Sequence, residues 1–178
     1  MNTITLSVLP NLLLNGAMPK FPIPHGMYMG LMHTHSLVRY LILIALIAAI
    51  YFAFKGRKSG APYAGITKKA GLFTMIFADI QLLIGAILFF VFLDVRTNFK
   101  LNRFKTMLGN SEERFFVMEH AVLMFIAILL IHVGYFKAKK ATSAITANKN
   151  QFVWYLIALI IILIAIPWPF MPGYGRPW

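Results

Sequence analysis

Leu41-Ile-Leu-Ile-Ala-Leu-Ile-Ala-Ala-Ile-Tyr-Phe-Ala-Phe54 is apolar on every face, and Lys55, Arg57 and Lys58 close it. A surface helix or strand keeps one polar side, and this stretch keeps none. It therefore belongs in lipid. Outward from it, His35 and Arg39 lie within two helical turns upstream. Three more apolar runs follow, at about 70–93, 114–136 and 151–166. The first run begins at about Met27 or Ser36 and ends at Phe54. Each is near the ~20 residues that span a bilayer core. Backbone groups in lipid must bond within their own segment, so the runs are helices. Short connections join neighbours head to tail. The expected fold class is all-α: a polytopic membrane protein, an up-down antiparallel bundle of four transmembrane helices.

Composition agrees. The 178 residues are 60% hydrophobic and 12% charged, with mean hydropathy +0.74. A soluble domain of that size cannot bury so much apolar surface, whereas a membrane protein exposes it to lipid. The formal charge of +12 lies in the loops between apolar runs. There it meets lipid headgroups and sets topology, and no nucleic-acid partner is expected. The absence of cysteine excludes disulfides, iron–sulfur clusters and covalent haem attachment. Non-covalent haem held by histidine is left open.

Three regions are expected: an interfacial extension over 1–26, the membrane domain over 27–170 and an aromatic, proline-rich tail over 171–178. Leu6–Leu14 is apolar, but Pro10 interrupts it and no basic residue precedes it, which argues against a cleaved signal peptide. Trp154, Tyr155 and Trp168 are expected to anchor at the membrane interface, with the Pro167–Trp178 stretch along the outer face or against a partner subunit. Nine Lys and Arg flank the first and third loops, against seven on the other side. The positive-inside rule then puts both termini outside the cytoplasm, in a bacterial inner membrane on the periplasmic side.

Ionisable side chains within the spans need a partner and a reason. His35 lies 19 residues from Phe54, and His120 lies 16 residues from Phe136. The two are within about one turn in depth on helices entering from the same side. That placement suits a bis-histidine haem b, with one imidazole from each of two helices. Arg39 shares the His35 face and reaches Glu119 or a haem propionate. The plainer reading has the histidines at the headgroup layer and Arg39–Glu119 as a structural pair. A second polar station is expected from Asp79, Gln81 and His132, as interfacial polarity, a single hydrogen bond or the start of a proton path. Gln81 and Gly85 share a face, and the glycine lets another helix come close.

His33 and His35 are two apart, so on a helix they point about 200° from one another and cannot grip one ion. There is no H-E-x-x-H motif, no glycine-rich phosphate loop and no Ser-His-Asp set, so no catalytic residue is assigned.

At His35-Ser-Leu-Val-Arg-Tyr, Gln81-Leu-Leu-Ile-Gly85, Glu119-His120, Gly134-Tyr135 and Ile166-Pro-Trp-Pro the chain resembles small four-span Bacteroidetes proteins commonly labelled cytochrome b. The resemblance covers about residues 27–170 and implies a haem-binding electron carrier with His35 and His120 at matching positions. In that pattern the second span reads His-Leu-Gln, where this chain has Asp79-Ile80-Gln81.

The leading expectation is a membrane cytochrome b-like protein. It carries electrons between a quinone or membrane partner and another redox protein. The alternative is a haem-free accessory or assembly subunit of a larger membrane complex. A third reading, a small transporter, uses Asp79 and His132.

Overall fold

The structure, a computed structural model, describes residues 22–171. The expectations for the first 21 residues and for 172–178 fall outside the described residues. Helix α1 runs His25–Ser59 and α2 runs Gly65–Thr97. Two short helices follow, α3 (Leu101–Gly109) and α4 (Ser111–Arg114). A π-helical turn over Phe115–His120 leads into α5, Ala121–Lys139, and α6 is Ala144–Ala165. Four helical runs are long and apolar enough to cross a membrane: α1, α2, the continuous run Ser111–Lys139, and α6. The all-α four-span architecture is as expected.

The spans overshoot the apolar runs because polar residues extend the helices beyond the lipid. Helix α6 begins seven residues before the expected Gln151, capped by Ser143, whose hydroxyl accepts from the Thr146 amide at 3.2 Å. Hydropathy alone trims such ends. The 101–113 segment, read from sequence as a connection, is helical apart from Asn110. Asn110 accepts from the Glu112 and Glu113 amides at 2.9 and 3.2 Å, and the two acids in that first turn suit the helix dipole. Helix α1 ends at Gly60, whose left-handed φ of 69° favours a residue without Cβ.

Helix α1 packs on α2 and α6, and α5 packs on α2 and α6, closing a ring of four. The inward residues follow three–four spacing. On α2 they are Thr67, Gly71, Thr74 and Ala78; on α6 they are Asn148, Gln151, Tyr155, Ala158, Ile162 and Ala165. That spacing is the seam of shallow-angle, left-handed helix packing. Small residues bring the backbones together. A Cβ on Gly134 would lie 2.7 Å from Trp154 Cβ and 3.0 Å from the Tyr155 ring. Large apolar side chains such as Ile44, Leu83 and Ile164 face outward, more than 60% exposed, and form the lipid-facing belt.

Packing is uneven along the bundle. No residue of 79–90 on α2, or of 118–126 from the π-helical turn into α5, is fully buried, whereas the remaining parts of both helices hold buried residues. The core thins at the level of His35 and His120.

Candidate functional site

His35 from α1 and His120 from the end of the π-helical turn stand diagonally across the bundle, on helices that are not packed neighbours. Their ring centres are 6.4 Å apart, at an interplanar angle of 64°. His120 is held by a consequence of sequence. In a continuing helix the residue-167 amide would bond Leu163 O, and the residue-169 amide would bond Ala165 O. Both positions are proline and carry no N–H. Other donors take their place: Trp168 Nε1 gives to Leu163 O at 2.8 Å, and His120 Nδ1 gives to Ala165 O at 2.8 Å. This assigns the His120 tautomer and leaves Nε2 as its free coordinating atom.

On the other side, Gln81 Nε2 donates to the His35 carbonyl at 3.0 Å. A Cβ on Gly85 would sit 3.2 Å from His35 Cε1, so glycine is what lets α2 accommodate the imidazole. Phe115 and Phe116 flank His120, with ring centres at 6.2 and 6.1 Å. The π-helical turn has a visible effect here. It lets Arg114 Nε reach Glu119 Oε1 at 3.1 Å, five residues on, a spacing that an α-helix does not align.

Two sequence expectations are corrected. Arg39 and Glu119 do not pair: Glu119 binds Arg114, while Arg39 gives a hydrogen bond to the Tyr40 hydroxyl at 3.2 Å and stacks on that ring. The nearer cation on the same helical run wins. Gln81 does not join Asp79 and His132. Two residues on from Asp79, it turns to α1 and the His35 carbonyl. Asp79 and His132 themselves meet, with His132 Nε2 at 3.1 Å from Asp79 Oδ1. His33 is exposed and apart from His35.

Four enclosed polar atoms at this end lack a hydrogen-bond partner: His35 Nδ1, Arg39 Nε, Gln81 Oε1 and Glu119 Oε2. Among the described residues only Asn148 Oδ1, at the opposite end, shares that condition. Each such group costs ~1–3 kcal/mol, and more where it is charged. Their gathering around two imidazoles suits a polar or metal-centred guest.

A second polar cluster occupies the opposite end, and the sequence reading missed it. Gln151, wholly buried, donates to Ala49 O and Thr67 O at 3.1 and 3.3 Å and accepts from the Tyr63 hydroxyl at 2.6 Å. Asn148 donates to Ala61 O and Ala144 O at 2.9 and 2.8 Å. Tyr155 is corrected from interface anchor to core: it is wholly buried and donates to Gly71 O at 2.9 Å. The signal was present in the sequence as Asn148, Gln151 and Tyr155 at three–four spacing, one face of one helix. This cluster joins α1, α2 and α6, and its hydrogen bonds are nearly all made. It holds structure.

Fold and site together define an integral membrane four-helix bundle with a paired-imidazole, polar-lined end. No known protein family, curated protein or solved structure matches the chain.

Proposed function

We propose that the chain is a cytochrome b-like electron carrier that holds haem b between His35 and His120. The observation that carries this reading is the facing imidazole pair. Two imidazoles sharing one metal through bonds of ~2.0–2.1 Å have ring centres roughly 6 to 6.5 Å apart, and these stand at 6.4 Å. Among the described residues no group of three or more His, Cys, Asp or Glu side chains is placed to hold a metal ion. A pair is the most protein ligands that a porphyrin-bound iron takes. Thin packing at this level and the unpartnered polar atoms add support.

Bound haem supplies a one-electron couple. The chain's own residues do the rest. The Ala165 carbonyl fixes the orientation and basicity of His120, and Gln81 ties the His35 backbone to α2. Arg39, one helical turn on from His35 along α1, offers a cation to a carboxylate guest group. Phe115 and Phe116 keep water away. We place the protein in a bacterial inner membrane with both termini periplasmic, exchanging electrons with a quinone or membrane partner on one side and another redox protein on the other.

Reduced-minus-oxidised visible spectra of the purified protein test this. Sharp Soret and α bands are expected, lost in His35→Ala and in His120→Ala and kept in His132→Ala. Arg39→Gln should keep haem and lower its midpoint potential by tens of mV, on the order of the ~59 mV that a tenfold shift represents. Removing a cation favours the oxidised state. A colourless protein overturns the carrier reading in favour of a haem-free accessory subunit.

A further inference from the structure

Asp79 on α2 and His132 on α5 meet on the outside of the bundle, with side chains 50% and 29% exposed. Asp79 is ten residues from Lys69, and His132 is five from Lys137. Both therefore lie roughly 7 to 15 Å below the lysines, at the depth of acyl chains. His132 Nδ1 donates to Ile128 O at 2.9 Å, so its Nε2 contact with Asp79 Oδ1 contains one shared proton. Whichever atom holds that proton, the pair is neutral overall, the form that lipid tolerates. Oδ2 of Asp79 makes no hydrogen bond or ion pair among the described residues. In hydrocarbon, such an acceptor calls for a donor that itself travels in lipid.

The surrounding surface favours a small ring over another helix. Apart from Asp79, every exposed residue of 72–87 on α2 is a large apolar side chain, and so is every exposed residue of 122–136 on α5. Close helix contact in lipid uses small residues, and here Gly71, Thr74, Ala78, Ala127 and Gly134 all face inward. The Phe136 ring stands 6.4 Å from that of His132, and Ile76, Leu83 and Leu129 are exposed nearby on the two helices.

We propose that the Asp79–His132 pair docks a quinol, a lipid-soluble ring whose phenolic hydroxyl donates to Asp79 Oδ2. The proposal rests on the electron-carrier reading for its purpose, but the binding itself needs no haem.

The test uses the full chain in nanodiscs, titrated with a decyl-chain benzoquinol and with its di-O-methyl ether, which has no donor. The quinol should bind about tenfold more tightly than the ether, the value of one hydrogen bond. Asp79→Ala should erase that preference, and Asp79→Asn, which keeps a carbonyl acceptor, should retain most of it. Equal binding of the two compounds by the unmodified chain overturns the proposal, as does a preference that survives Asp79→Ala. The chain has no cysteine of its own, so disulfide-linked dimers from Leu83→Cys would assign the face to a second copy instead. A colourless protein that still prefers the quinol removes the carrier reading and leaves the docking point. A haem protein without the preference does the reverse.

Discussion

Glycine positions separate sharply by what lies over them. At Gly134 a Cβ would overlap Trp154 and Tyr155, while at Gly30 it would meet nothing within 4 Å. Gly134→Ala should cost about 1–3 kcal/mol of stability through overpacking, and Gly30→Ala should gain about 0.5–1 kcal/mol through helix propensity. Unfolding titrations in detergent compare the two. Tyr63 offers a pH handle outside the membrane spans. Burial first, and Tyr135 second, raise its phenol above the ordinary 10.0. The folded state therefore keeps a proton that the unfolded state gives up. The Tyr63–Gln151 hydrogen bond contributes fully below pH ~10, and its stability is lost as pH rises from there through the raised value. Tyr63→Phe should be less stable than the parent at pH 8, with the gap closing in strong alkali, followed by the same unfolding measurement. The sequence assigns none of these residues a packing role, because a glycine or tyrosine gains its role only from what packs on it.

The π-helical turn is the element on which the histidine site depends. It sets Phe115 and Phe116 beside His120 and aligns Arg114 with Glu119. The turn already absorbs one extra residue, so inserting an alanine between Met118 and Glu119 should turn everything before it by ~100° relative to α5. The expected outcome is lower haem occupancy at unchanged helix content, read from the Soret absorbance against far-ultraviolet circular dichroism. The legible and illegible parts of this protein divide at this scale. Leu41–Phe54 and its counterparts announce four spans because lipid demands apolar length, and matched depth brings His35 and His120 to the same level. The extra residue of a π turn leaves no mark in hydropathy. Arg39 and Glu119 look like partners by depth, yet Arg114 is closer along the chain. Asn148 looks like a loop residue, and Gln151 like the polar start of a span, because a transfer scale counts their polarity and not their hydrogen bonds.

At the scale of the whole molecule, an even number of spans puts both ends of the bundle's chain on one side. Reporter fusions after Lys58 and Lys140 should report the cytoplasm, and a fusion after Lys100 the opposite side; cytoplasmic activity at Lys100 alone would invert the assignment. The bundle's two ends are built differently. Gln151, Asn148, Tyr63 and Tyr155 rivet α1, α2 and α6 together at one end. At the other, Gln81 and His120 each supply one cross-helix bond beneath the peripheral Arg96–Glu113 pair. Such a body works like forceps, with a fixed joint and free jaws. On the carrier reading, a flat guest seated between the histidines would part the jaws and leave the joint untouched. Gripped by both imidazoles, such a guest would become the second rivet, and the two halves of the bundle would then melt as one.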